Sequence, residues 1–230
     1  MSTTERIRRL IKEADELLKQ LGTAACVALA LSLTACGGDA SPGLILTDVD
    51  GSKPGVLIVG DSISLGYTPY VRAALYAYSV SHTPANNMGS ANGRRVIDTI
   101  LSQRPVWSVV VFNHGAWDIP ARDGTSAPQA VSVTEYAANL QVIGAKMLLK
   151  ADRVVFVTTT EVSAPFTGFS NADVAAYNAA AVQVMGELGI EVLDLNAVSA
   201  GITGLHSDGI HWTDAGSAVL SQAIVNHLGL

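Results

Sequence analysis

A serine in one segment and an aspartate–histidine pair in another could together carry out nucleophilic catalysis. Ser62 stands in Gly60-Asp61-Ser62-Ile63-Ser64, and the pair stands in Ser207-Asp208-Gly209-Ile210-His211-Trp212-Thr213-Asp214. An unassisted serine hydroxyl is a weak nucleophile and needs a base to take its proton. Asp208 and His211 are three residues apart in a turn-forming stretch. That spacing lets a carboxylate approach one ring nitrogen and fix the tautomer, leaving the other nitrogen to act as the base. Each segment also has a plainer use. Asp61 or Ser62 is what a helix N-cap requires, and alone this segment reads more readily that way. Asp208 could simply make a turn, with His211 as a half-buried packing residue.

These residues matter only if the fold gathers them, and the hydropathy pattern says how. Gly55 to Gly60 is a short apolar run that predicts a buried strand. Leu65 to Tyr78 has helical spacing, and Ser79 to Thr83 is a weaker strand. Asn92 to Gln103 predicts a helix with Val96, Ile97, Ile100 and Leu101 inward. Val106 to Phe112 and Arg153 to Thr159 predict strands around a helix over Val133 to Leu149. Asn171 to Leu188 is a helix with Asn171 as its expected cap and Gly189 as its stop. Ile190 to Leu195 is a short strand, and Thr213 to Leu228 a last helix. Strands separated by helices imply right-handed crossovers and a parallel sheet covered on both faces. Sites in such folds lie beyond the carboxyl ends of the strands. Ser62 follows the first strand, and Asp208 and His211 precede the last helix.

Taken together, the two segments resemble the SGNH/GDSL hydrolase family, over roughly residues 55–228. The resemblance implies an α/β fold: a three-layer α/β/α sandwich with a parallel sheet of about five strands and flavodoxin-like topology. It implies Ser62 as nucleophile, with Asp208 and His211 completing the triad. Tyr136-Ala137-Ala138-Asn139-Leu140 and Ala176-Tyr177-Asn178 are similar to recurrent helix segments of the family. The family's second block supplies a glycine N–H to the oxyanion. Gly89, in Asn87-Met88-Gly89-Ser90, matches best; Gly93 is the alternative, with the plainer role of breaking a turn before Arg94. The third block, G-x-N-D, departs here: in Asn113-His114-Gly115-Ala116-Trp117-Asp118 the Asn position is taken by Trp117. This resembles an N-x-G-x-(His/Trp)-D branch of the family. Asn113, just past its strand, could deliver the missing amide or be a structural strand-end residue.

The implied reaction is hydrolysis of a carboxylic ester through an acyl-enzyme, with no cofactor and no metal. The substrate would be a small-molecule, glycan or lipid ester, and loops 119–132 and 161–170 would set the pocket depth. Two other readings stay open: an O-acyltransferase with the same triad, and a non-catalytic surface binding module. Asp61, His114, Trp117 and Trp212 are candidate pocket residues, although either tryptophan could be a core aromatic. His206 is expected near the crevice, His82 at a strand end and His227 at a helix end.

The N-terminal part differs in kind. Residues 2–21 predict an amphipathic helix with Ile7, Leu10, Ile11, Ala14, Leu17, Leu18 and Leu21 in one stripe, and Ser2 with Glu5 form a capping-box pattern. Thr23 to Ala35 is an uncharged run of 13 residues. A membrane span needs about 20, whereas the apolar core of a secretory signal needs about 7–15. The run ends in Leu33-Thr34-Ala35-Cys36, which resembles the lipobox of bacterial lipoproteins, with Cys36 as the lipidated residue. A buried helix carrying an ordinary Cys is the alternative, and Glu5, Glu13, Asp15 and Glu16 depart from a basic signal start. The expected organisation is 1–35 helix and signal-like segment, 36–54 tether, and 55–230 hydrolase-like domain. That predicts an exported protein tethered to the bacterial cell envelope. The chain is 49% hydrophobic, which excludes disorder. Its net charge of −6 lacks the basic stripe of a nucleic-acid binder. Its two cysteines, Cys26 and Cys36, supply no disulfide framework for the body.

Overall fold

The computed structural model describes residues 3–25, 44–46, 48–122 and 129–230. Cys26, Cys36 and the apolar run between them lie outside the described residues, as does Ser2. The body is built from strands β1 (Gly55–Val59), β2 (Ser79–His82), β3 (Trp107–Phe112), β4 (Ala151–Val157) and β5 (Glu191–Leu193). The helices are α1 (Thr3–Ala25), α2 (Ser62–Ala74), α3 (Ser90–Leu101), α4 (Val133–Leu148), α5 (Asn171–Leu188), α6 (Leu195–Ala200) and α7 (Asp214–Leu228). The five strands form one parallel sheet in the order β2-β1-β3-β4-β5.

The strands sort their side chains by parity, as a period of two requires. Leu57 and Val59 of β1, Val110 and Phe112 of β3, and Val154 and Phe156 of β4 share one core with α3, α4 and α5. Val56 and Ile58, Val109 and Val111, and Val155 and Val157 face the other core, under α2 and α7. Two apolar faces explain why these strands read as continuous runs rather than alternations. The order of the sheet reverses at β1, and α2 and α3 leave its neighbourhood on opposite faces. The crevice of a doubly wound fold opens at that point. It lies beyond Val59 and Phe112, which are paired in register.

Several boundaries differ from the sequence expectation, each for a local reason. Helix α2 begins at Ser62 because the Asp61 carboxylate accepts the Ile63 N–H and caps it. Helix α3 begins at Ser90 because the Asp118 carboxylate, distant in sequence, accepts the Ser90 N–H. The cap of α5 is Ser170, not Asn171: Ser170 Oγ accepts from Asp173 N, and Asp173 Oδ2 accepts from Ser170 N in return. Asn171 instead pairs with both backbone groups of Val162. Gly189 does end α5, in the left-handed conformation with φ of 73°. Helix α6 was not expected; Asp194 caps it.

Helix α1 docks on the body. Ala14 and Leu18 are buried against Ala138 and Val142, on the side of α4 that faces away from the sheet. Arg94 pairs with Asp15 at 3.1 Å, and Gln141 Nε2 donates to Leu10 O. Helix α4 is therefore apolar on two sides, which is what a helix buried between two layers requires.

Candidate active site

The end of β1 and the start of α2 present Ser62. Its Oγ lies 2.9 Å from His211 Nε2. His211 Nδ1 lies 2.7 Å from Asp208 Oδ2. The other carboxylate oxygen of Asp208 accepts the backbone N–H groups of Ile210 and His211. Thus one side chain folds its own turn and holds the ring three residues on. Burial pushes the Asp208 carboxyl up, but the bonds from the His211 ring and the two N–H groups outweigh it and bring it down to about 2. About half of each side chain in the pair is exposed, so the crevice is open to solvent.

The turn itself is locked from below. Gly209 is buried with φ of 89°. A Cβ there would stand 2.2 Å from Ser163 O and 2.7 Å from Phe166 N, both backbone atoms. Ser163 N also donates to Gly209 O. Gly209→Ala should therefore cost about 1–3 kcal/mol of strain, the usual range for a forced left-handed residue. At about 2–4 °C per kcal/mol for a chain of this size, the melting temperature should fall by about 2–12 °C. Turnover should fall with it, because Asp208 and His211 ride on this turn. An unshifted melting curve would mean that the turn accommodates a side chain.

The other sequence candidates fall into different places. Asp61 is buried under the crevice, where burial pushes its carboxyl up against the pull of the Ile63 and Ser64 N–H groups. Gly89 is the N-cap of α3, and Met88 before it has φ of 55°. A non-glycine residue in that region is a strained position, of the kind that gathers at functional sites. Gly93 lies inside α3 and breaks no turn; a Cβ there would meet His114 Nε2 at 2.4 Å. His114 does not line the crevice. It is fully buried, its Nδ1 bonded to Met88 O at 3.1 Å, and burial pulls it down to about 4. Trp212 is likewise a core aromatic: it is buried, stacks on His206 with centroids 3.9 Å apart, and donates to Thr160 Oγ1. Trp117 is partly exposed. Asn113 sits just past β3, where its Nδ2 donates to Val157 O at 2.7 Å and lies 3.5 Å from Thr159 Oγ1. Those contacts tie β3 to β4.

Some supporting residues were missed as such. Asp118 accepts from the Ser90 N–H and hydroxyl, and burial drives its carboxyl up to about 7. Asn139 donates to the same Ser90 hydroxyl, and Tyr136 donates to His114 O. Asn178 accepts from Thr159 N and donates to Thr159 O. Tyr136 and Asn178 thus hold the loops that follow β3 and β4, and Asn139 holds the start of α3.

By sequence, no curated protein matches this chain. In structure it is similar to LAE5, an α/β hydrolase from the metagenome of Lake Arreo (TM-score 0.66, 16% identity, 76% of this chain and 95% of that one). It is also similar to Axe2, an acetylxylan esterase from Geobacillus stearothermophilus (TM-score 0.62, 18% identity, 77% and 94%). A third likeness is to TesA (TM-score 0.60, 20% identity, 76% and 97%). At these identities the likeness shows the fold alone, an α/β sandwich around a five-stranded parallel sheet. The sequence pattern of the GDSL-like lipase/acylhydrolase family matches residues 58–219, from inside β1 into α7. The chain therefore belongs to the GDSL-like lipase/acylhydrolase family and is a carboxylic ester hydrolase.

Proposed function

We propose that Ser62, His211 and Asp208 form a catalytic triad that hydrolyses acyl esters through an acyl-enzyme. The observation that carries this reading is the continuous line from Ser62 Oγ to His211 Nε2 and from His211 Nδ1 to Asp208 Oδ2. Ser62 Oγ attacks the ester carbonyl while His211 Nε2 takes the hydroxyl proton. His211 then gives that proton to the leaving alcohol. Water repeats the sequence on the acyl-enzyme, with His211 again as base. Asp208 stays ionised throughout and stabilises the imidazolium that forms in each step. The Ser62 and Gly89 N–H groups stand at two helix N-termini, where backbone donors are unused by the helix and suit a developing oxyanion.

Asn113 is the third donor in this reading, through the N–H that makes only the long contact with Thr159. Asn113→Ala should lower kcat by about 10²–10³ with little change in KM, the usual loss for one oxyanion donor. Trp117→Phe keeps an aromatic six-membered ring but removes the indole N–H with its five-membered ring, so it should cost little. The reverse pattern in steady-state kinetics would move the donor role to the indole. If neither substitution matters, the hole is made by backbone groups alone.

Esters of sugars are the substrate class in this reading, supported by two structural neighbours that carry acetylxylan esterase in their names. A chain-length series of p-nitrophenyl esters, beside acetylated xylo-oligosaccharides, tests the substrate class. A fluorophosphonate probe should label Ser62; labelling at another serine would remove the triad reading. Transfer of the acyl group to an added sugar instead of water would mark an acyltransferase.

The tether belongs to the same proposal and rests on Leu33-Thr34-Ala35-Cys36. Expressed in a bacterium, the protein should partition with membranes, and Cys36→Ser should abolish lipid labelling. A single acyl chain anchors only marginally, so several chains on Cys36 are needed. Cleavage there would take α1 off α4. A soluble product that retains residues 1–35 would instead make α1 a permanent part of the fold.

A further inference from the structure

A second serine–histidine pair lies directly behind Ser62. Ser64 Oγ is 2.6 Å from Asp61 O and 2.7 Å from His82 Nε2. His82 Nδ1 is 2.7 Å from Thr83 O. Ser64 and His82 are both buried, so these bonds form in a medium where each is stronger than in water. His82 reaches the pair because the β1–β2 register sets it beside Ile58, three residues before Asp61. Gly60 leaves the room: a Cβ there would stand 2.8 Å from Ser64 Oγ. A deep hydroxyl pinned by a ring from the edge strand is more than α2 needs to start, since Asp61 already caps that helix.

Asp61 O and the Ser62 N–H are the two ends of one peptide unit. A donor on that oxygen fixes the plane of the unit and makes its N–H a stronger donor. We propose that Ser64 is a positioning residue, which orients and polarises the Asp61–Ser62 peptide so that its N–H meets the oxyanion, and that His82 tempers this by competing for the Ser64 proton. This rests on the reading of Ser62 as nucleophile and of its N–H as part of the oxyanion hole. Ser64 has one hydroxyl proton and two neighbours able to take it. Burial, with Arg72 adding, pulls the His82 ring down to about 4 and so keeps it neutral. With Nδ1–H on Thr83 O, Nε2 competes with Asp61 O for the Ser64 proton. The hydroxyl is thus held between the ring and the peptide, and His82 acts on the peptide only through Ser64.

The test is a kinetic cycle on p-nitrophenyl acetate with Ser64→Ala, His82→Phe and the double variant. Losing an oxyanion donor outright costs about 10²–10³. Weakening one should cost less, so Ser64→Ala should lose about tenfold in kcat with KM within about twofold. His82→Phe alone removes the competing acceptor, so kcat should stay at wild type or rise by up to about threefold, and in the Ser64→Ala background it should change kcat by less than about twofold. Ser64→Cys, of similar volume and a weaker donor, should fall between wild type and Ser64→Ala. It also carries the test if Ser64→Ala does not fold. In the phosphonylated enzyme, the Ser62 amide proton should move upfield in Ser64→Ala, a shift that a purely structural role would not produce. If the probe labels Ser62 but Ser64→Ala keeps kcat within twofold, or His82→Phe loses as much as Ser64→Ala, the relay is overturned. If the probe does not label Ser62, the nucleophile reading fails first and the relay with it.

Discussion

Ser62→Ala should remove about 10⁴–10⁶ of the turnover of p-nitrophenyl acetate while leaving the protein folded, because members of a triad act as a unit. The structure explains why these two effects separate. Ser62 is the first residue of α2, but the helix is capped by Asp61, whose carboxylate takes the Ile63 N–H. The Ser62 hydroxyl is spent on His211 rather than on the helix. Alanine is the best helix former, so the start of α2 loses nothing by the change. Stability should stay within about 0.5 kcal/mol, the range for substitutions that break no buried contact. Labelling by the fluorophosphonate should vanish in the variant. A residual rate close to wild type would mean that another nucleophile does the work. A melting transition lowered by many degrees would mean that the Ser62–His211 bond is structural.

How much of this could be read from the residues depends on how far apart the partners are. Strands β1, β3 and β4 announce themselves, because a strand buried on both faces is a continuous apolar run. The Asp208-Gly209-Ile210-His211 turn is equally legible, since the bonds of the Asp208 carboxylate all fall within three residues. Partners distant in sequence gave less warning. Asp118 caps α3 from 28 residues away, which is why that helix starts earlier than its own residues suggest. Ser64 meets His82 only through the pairing of β1 with β2, so the histidine looked like an ordinary strand end. Asn113 is a suitable donor by type and position, yet the end of β4 takes one of its N–H groups. His114 and Trp212 lie in the core for a shared reason: residues flanking a crevice in sequence point into the core as readily as out of it. The stripe on α1 correctly predicted an apolar face, but not that α4 would receive it.

Asp208→Asn should lower kcat by about 10⁴, close to the loss from Ser62→Ala at its lower end, although it keeps the size and shape of the side chain. In the wild type, Asp208 Oδ1 accepts two backbone N–H groups, and Oδ2 faces His211 Nδ1. Asparagine has one oxygen. If that oxygen stays on the backbone donors, the amide NH₂ faces Nδ1, which must then accept. The ring proton moves to Nε2, and the base that should take the Ser62 proton now offers one of its own. If the amide flips to keep its oxygen on Nδ1, the NH₂ meets the Ile210 and His211 N–H groups and the turn opens. Both arrangements disable the base. The half-exposed pair itself contributes little to stability, so the loss should fall on kcat rather than on the melting temperature. The pH dependence supplies an independent check. The folded carboxyl is held at about 2, below its unfolded value of about 3.9, so what stability it adds is present above that value and is lost as pH falls through about 2. Over the working range of the enzyme Asp208 is therefore always charged, and the acid limb of the activity profile belongs to other groups. The His211 Nδ1 proton should appear as a downfield resonance in the wild type and disappear in Asp208→Asn. Activity within about tenfold of wild type, with that resonance retained, would show that His211 is held in its tautomer without the carboxylate.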